Sequence, residues 1–181
     1  MSLELTNPPA AEPVSLDAAK AHLKVDTGDD DALITALIGA ARARAEWLTG
    51  RAFVTQGWTL WLDRWPVDGP VTIPLPPLQS ITSLTLYGCD GDAQSVDPSA
   101  YIVDPSGGRV WLKTRPGPLR PINAAAIAFT AGYGDAAAVP PPVCTAILQI
   151  LAALYAHRGD DAAPVPDAAL ALLAPYRVVK L

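Results

Sequence analysis

One stretch near the C-terminal end constrains the fold most strongly. Three prolines at 140–142 lead into a predicted helix over about 143–158 that ends at Gly159, since proline is accepted in a first helical turn. Only Thr145 and Gln149 are polar before its last turn. A helix that is apolar on nearly every side must be covered on every side. Either the rest of the same chain packs around the whole helix, or the core of the same chain packs on one side and a neighbouring subunit packs on the other.

Three further helices are predicted from apolar spacing and from residues that begin or end helices. Ser15 is expected to cap a short helix over about 15–24, because its side-chain oxygen can accept a backbone N–H of the first turn. A longer helix over about 30–49 repeats apolar residues every three or four positions and ends at the glycine that follows. Asp167 is expected to cap a last helix over about 167–174.

The longer helix also carries a predicted ion pair. Arg42 and Glu46 lie four residues apart, and this spacing places two side chains next to each other on one helix face. We interpret them as a pair on the outward side of the helix, worth about 0.3 kcal/mol.

Between residues 52 and 133 the chain changes to the two-residue period of β-strands. Glycine and proline turns follow at close spacing, which is typical of an antiparallel layer. The turn DPSGG predicts a hairpin. Strands are expected at about 56–65, 71–73, 84–87, 101–103, 109–113 and 124–133.

Together these elements predict an α+β fold. The expected body is mainly helical, with two long helices and short terminal helices, and it carries an antiparallel β-sheet insertion. The proline-rich residues 1–14 are expected to form an extended N-terminal arm, and residues 15–174 a single domain. Residues 175–181 are expected to form a tail that docks on another surface, since an apolar terminus is otherwise frayed.

The sequence contains no signature of catalysis, metal binding or cofactor binding. It lacks GxSxG, HExxH, GxxxxGK[ST] and any cysteine–histidine cluster. His22 and His157 are interpreted as surface residues. Cys89 is interpreted as a loop thiol and Cys144 as a buried helix thiol, because their spacing suits no disulfide framework. We therefore expect no catalytic residues, no metal ligands and no cofactors.

Charge and hydropathy exclude two further classes of protein. The formal net charge is −5, which argues against nucleic-acid binding as the main role, because such proteins need a basic face. No apolar run approaches the roughly 20 residues of a membrane span. The first residues lack the apolar core of a signal peptide, so we expect a protein made in the cytoplasm with no membrane partner.

Several sequence pieces, in their order, resemble a known family. They are PLPPLQSITSLTLYGCDG at 74–91, the strand around 101–104, a strand bearing a tryptophan, AFTAGYGDAAAVPPPVCTAILQILAALYAHRG at 128–159, and LLAPYRVV at 172–179. The chain resembles the tailed-phage head–tail connector family, also called adaptor or head-completion proteins, including its gene transfer agent branch. The resemblance extends over about 14–180.

The resemblance implies a structural role in the neck of a phage or phage-like particle. It implies a dodecameric ring of copies of the chain beneath the portal protein, meeting a stopper or terminator protein on the tail side. DNA would pass through the ring without specific binding, for which an acidic lumen is suited. The resemblance also implies no catalysis and no cofactor, with assembly in the bacterial cytoplasm.

Two surfaces are expected to make the contacts of such a ring. The predicted subunit interface lies on the second long helix, at Leu148, Ala152 and Tyr155. The predicted portal-docking tail places cations against carboxylates and apolar side chains in pockets, and consists of Pro175, Tyr176, Arg177, Val178, Val179, Lys180 and Leu181.

Two other classes of function stay open at this point. One is a different virion part, a head-stopper or a tail-terminator, for which a fold with little helix would be expected. The other is an enzyme whose site has no recognisable motif.

Overall fold

Four α-helices and two antiparallel sheets form the framework of residues 1–157 and 164–178, which are the residues that this computed structural model describes. The helices are α1 (Leu16–Leu23), α2 (Asp31–Thr49), α3 (Pro141–Ala156) and α4 (Asp167–Leu173). The strands are β1 (Ser2–Asn7), β2 (Gln56–Leu62), β3 (Val71–Thr72), β4 (Leu78–Tyr87), β5 (Ala93–Ser95), β6 (Tyr101–Asp104), β7 (Arg109–Leu112) and β8 (Ala125–Ala131). The predicted α+β class is confirmed.

The described residues divide into two units. The sheet unit comprises residues 1–10 and 55–133, and the helical unit comprises residues 11–54 and those from 134 onward. The expected division into an arm at 1–14, one domain at 15–174 and a tail stays a prediction.

The sheet unit contains a five-stranded sheet and a three-stranded sheet. Their strand orders are β1-β2-β8-β4-β5 and β3-β7-β6, and every pairing is antiparallel. In β8 buried and half-buried side chains alternate, as the two-residue period of a strand requires. Ile127 is central to the larger sheet, where it pairs with Leu60 on one side and Leu84 on the other. All three side chains are fully buried.

The N-terminal residues form part of this unit rather than an unpaired segment. Strand β1 lies at the sheet edge and pairs with β2, with Leu3 opposite Leu60 and Leu5 opposite Trp58. Every residue of β1 is exposed. Gly57 permits this pairing, because a Cβ atom added there would lie 2.9 Å from the side chain of Asn7.

The helical unit is built around α3, which packs against α1, α2 and α4. The apolar spacing of α2 turns one face inward, since Ile34, Ile38, Ala41 and Ala45 are buried. Opposite them lies the buried row of α3: Val143, Ala146, Ile147, Ile150 and Leu151. Residues 54 and 134, at the two ends of the chain segment that belongs to the sheet unit, form a parallel β-bridge.

The helix ends follow local rules, with one correction. The Ser15 hydroxyl accepts the Ala18 N–H at 3.2 Å, as predicted for α1, and Gly50 ends α2 with a φ of 69°. The prediction that Asp167 caps the last helix is wrong. Pro166 occupies the cap position, and Asp167 is the first helical residue, where its charge suits the positive end of the helix.

The observed helices begin and end within two residues of the predicted limits. The end of α3 at Ala156 precedes the predicted end at Arg158, and Arg158 and Gly159 lie outside the described residues. The strands were predicted less completely, because neither β1 nor β5 was expected.

Candidate interaction surfaces

The predicted subunit interface on α3 is only partly open. Leu148, Ala152 and Tyr155 are half-buried, since α1, α2 and α4 pack around the helix. Tyr155 donates its hydroxyl hydrogen to the Asp30 carboxylate across an O–O distance of 2.5 Å. This tyrosine is thus engaged with its own chain, and the assignment of the three residues to a subunit interface stays a prediction.

A more exposed apolar surface lies on α2. Trp47 is 81% exposed, and four alanines along the same side of the helix, at positions 32, 36, 40 and 43, are exposed as well. We call these five residues the Trp47 face. The row contains no charged side chain, and it lies opposite the buried row of α2, because residues 45 and 47 differ by about 200° around a helix axis.

The sequence contained a signal for this surface. The apolar spacing of a helix marks the side that packs into the core. A tryptophan outside this spacing therefore lies on the side that faces away from the core. The prediction for α2 rests on its inward row alone and does not include Trp47.

The C-terminal tail lies against the end of α2 as far as it is described. The Tyr176 carbonyl accepts the Arg51 Nε–H at 2.5 Å, and the Val178 N–H donates to the Thr49 carbonyl at 2.8 Å. Free carbonyls at a helix C-terminus need partners, and the tail supplies one. Val179, Lys180 and Leu181 lie outside the described residues.

The side chains of this tail differ in their accessibility. Pro175 and Arg177 are exposed, Val178 is 39% exposed and Tyr176 is half-buried. Within the described part of the chain Arg177 forms no ion pair. The guanidinium of Arg177 is therefore engaged with none of the described carboxylates.

A polar network fixes the C-terminal half of α2. Arg42 donates from Nε to Glu12 at 2.7 Å and from Nη1 to Glu46 at 2.5 Å. The second Glu46 oxygen accepts the Phe53 N–H at 2.8 Å, beyond the end of the helix. The predicted Arg42–Glu46 pair is confirmed, but its outward position is wrong, because both side chains are only 13% exposed.

The arrangement keeps Arg42 charged despite its burial. Burial lowers the pKa of Arg42, but the hydrogen bond with Glu12 and the charges of Glu46 and Glu12 outweigh it and raise the pKa above its ordinary value. This network links the segment before α1, the middle of α2 and the segment after α2.

Comparisons with known proteins agree with the resemblance seen in the sequence. The family model for phage gp6-like head–tail connector proteins matches residues 13–92. A chain in the virion of a native gene transfer agent particle has 26% sequence identity and a TM-score of 0.82, with 100% of this chain and 97% of that chain covered. The chain is therefore similar to head–tail connector proteins over residues 13–92, and to a chain of a gene transfer agent particle over its whole length.

Two further solved structures that the chain resembles come from the necks of such particles. A chain in the neck of an empty gene transfer agent particle, computed with C6 symmetry, gives the same identity, coverage and TM-score of 0.82. A chain in the neck of a native particle, computed with C12 symmetry, has a TM-score of 0.80 at 26% identity, with 100% of this chain and 97% of that chain covered. No curated protein sequence matches the chain.

The described residues offer no metal cluster. Across residues 1–157 and 164–178, histidine, cysteine, aspartate and glutamate side chains form no group of three placed to hold an ion. His22 and His157 are both exposed, as predicted. Among the described helices, none combines the length and apolar character that a membrane span needs.

Proposed function

We propose that this chain is a connector subunit in the neck of a tailed phage or phage-like particle, where it joins the head to the tail. The observation that carries the proposal is the match of the whole chain to a subunit of a gene transfer agent particle, at a TM-score of 0.82 and 26% identity. The partners in this proposal are further copies of the chain, the portal protein, and a stopper or terminator protein on the tail side. The role needs no catalysis and no cofactor.

The proposed assembly is a ring of twelve copies, in line with the C12 symmetry used for the neck of a related particle. A ring repeats one contact between two different faces of the subunit. The helical unit offers two apolar surfaces for this contact: the Trp47 face of α2, and the half-buried Leu148, Ala152 and Tyr155 of α3. Trp47 is the expected anchor, because tryptophan is enriched among the residues that dominate interface energies.

The proposed portal contact is the C-terminal tail. The peptide groups of Tyr176 and Val178 are held by the end of α2, which gives the tail a fixed direction. The exposed Arg177 and the last three residues would then reach carboxylates and apolar pockets of the portal. A pre-oriented segment loses less entropy on binding, and a ring repeats each weak contact, so that avidity adds to it.

The first experiment tests the role itself. The gene is deleted in the host that produces the particles, and the particles are imaged and analysed by quantitative mass spectrometry. We expect heads without tails after deletion, and about as many copies of the chain as of the portal in complete particles. Normally joined particles without the chain would disprove the proposed function.

A second experiment tests the ring contact with a matched pair of variants. Trp47→Glu places a charge in the Trp47 face, whereas Trp111→Glu makes the same change at another exposed tryptophan, in the three-stranded sheet. Both variants should keep the far-ultraviolet circular dichroism of the wild type. We expect only Trp47→Glu to be lost from particles, and equal incorporation of both would refute the assignment of this face.

A third experiment tests the tail without disturbing its contacts with α2. A chain that ends at Val178 and the variant Arg177→Glu both keep the hydrogen bonds to Thr49 and Arg51. The control is Lys24→Glu, the same charge reversal at another exposed site of the helical unit. We expect weaker binding to purified portal for the first two changes only, and unchanged binding would refute portal docking by the tail.

A further inference from the structure

The sheet unit contains a cleft with a volume of about 570 Å³, which is not among the contacts proposed above. Two loops line it, one directly after β2 and the other between β7 and β8. Three arginines face the cleft, Arg64, Arg115 and Arg120, together with one carboxylate, Asp63. In a chain of net charge −5, this is a local concentration of positive charge.

The negative charge of the one carboxylate in the cleft is balanced by a neighbouring positive charge. Asp63 accepts a hydrogen bond from the N-terminal ammonium of Met1 at 2.8 Å and from the Asn123 N–H at 3.2 Å. These two hydrogen bonds hold the pKa of Asp63 below its ordinary value. Within the described residues, neither Arg64 nor Arg115 forms an ion pair, so their charges remain available to a ligand.

Arg120 is held in place for binding. Its Nε–H donates to the Asn123 carbonyl at 2.8 Å, its guanidinium carbon lies 3.8 Å from the centre of the Tyr87 ring, and its backbone N–H donates to the Tyr87 carbonyl at 3.1 Å. The terminal Nη groups have no carboxylate partner in the described chain. A guanidinium fixed in this way presents parallel donors, the geometry that binds two oxygens of a carboxylate or of a phosphate.

The walls of the cleft indicate which anion suits it. Trp65, Leu119 and three prolines at 66, 116 and 121 lie beside the arginines. A nucleic acid is opposed by the net charge of −5, whereas an apolar wall next to a guanidinium suits a carboxylate with a neighbouring apolar side chain. We propose that this cleft binds an extended peptide of another protein through an acidic side chain flanked by an apolar one.

The proposal is tested on the full chain with synthetic peptides. The probe is an eight-residue peptide series with glutamate or aspartate at the centre and leucine or phenylalanine beside it. The comparison series carries glutamine or asparagine at the same position. Binding is measured by calorimetry and by the NMR shifts of the arginine Nε–H groups. We expect the acidic series to bind about tenfold or more tightly than the amide series, because a hydrogen bond to a charged group is lost in the latter.

Two variants and a control assign the binding to the cleft. Arg64→Gln and Arg120→Gln should each lower the affinity for the acidic peptide about tenfold. Arg120 makes hydrogen bonds whose loss could disturb the fold. Arg64 makes none within the described residues, so its variant tests the cleft without that effect. Arg109→Gln is the control, since Arg109 is paired with Asp104 on the neighbouring strands. The proposal is overturned if neither peptide series binds or if both bind equally. It is also overturned if both cleft variants keep the affinity of the wild type, or if a DNA duplex binds more tightly than the acidic peptides at physiological salt.

Discussion

The Glu12–Arg42–Glu46 network yields a prediction for the stability of the helical unit. Arg42→Met keeps most of the volume of the side chain and removes its charge. Two charge-assisted hydrogen bonds are lost, at 2.7 and 2.5 Å, and Glu46 stays in a site where its side chain is 13% exposed. Hydrogen bonds to charged groups contribute about 1.5–3 kcal/mol each. Partial solvent access reduces this, so we expect a total loss of about 3 kcal/mol from the free energy of unfolding.

The two partners of Arg42 should contribute unequally. The Glu12 side chain is 30% exposed and Glu46 is 13% exposed. Solvent screens the more exposed pair, so Glu12→Gln should cost about 1 kcal/mol. Arg44→Met is the matched control, because Arg44 lies on the same helix and forms no ion pair among the described residues. Its effect should stay within about 0.5 kcal/mol.

The assay is urea unfolding followed by circular dichroism at the helix band. All four described helices belong to the helical unit, so this signal reports mainly on that unit. A loss of 3 kcal/mol lowers the midpoint by about 1–3 M urea. A loss below about 1 kcal/mol for Arg42→Met, or an equal loss for Arg44→Met, would refute the reasoning, because the pair would then behave like an exposed one.

Three further predictions test other parts of the structure. Tyr155→Phe removes the hydrogen bond to Asp30 and should cost about 1.5 kcal/mol in urea unfolding; no loss would contradict this bond. Gly57→Ala places a methyl group against the end of β1, so hydrogen exchange by mass spectrometry should be faster across β1, and unchanged exchange would contradict the close approach. Iodoacetamide should label Cys89 about tenfold faster than Cys144, because Cys89 is exposed and burial raises the pKa of Cys144; equal rates in peptide mapping would contradict this packing.

The helices could be predicted from the sequence because their causes are local. The inward row of α2 and the ends at Ser15 and Gly50 depend on spacing and on residue types within one or two turns. Strand β1 could not be predicted in the same way. All its residues are exposed, and its pairing depends on β2, whose partner residues lie 50 to 59 positions further along the chain.

The candidate surfaces also divide into those with local causes in the sequence and those that depend on distant residues. Trp47 could have been recognised from helical spacing alone, since it lies opposite the inward row. By contrast, Glu12 reaches Arg42 from a segment 30 residues away, and the cleft brings Arg64 close to Arg115 and Arg120. Such meetings depend on tertiary structure, which periodicity does not encode.

The bridge between residues 54 and 134 has a consequence for how this kind of protein can diverge. The chain leaves the helical unit and returns to it at neighbouring points. The entropic cost of closing the intervening segment, residues 55–133, grows only with the logarithm of its length, so that doubling this length costs about 0.6 kcal/mol. Descendants of such a gene could therefore enlarge, trim or exchange the intervening segment, and so adapt to new neighbours, while the helices that frame it keep their packing.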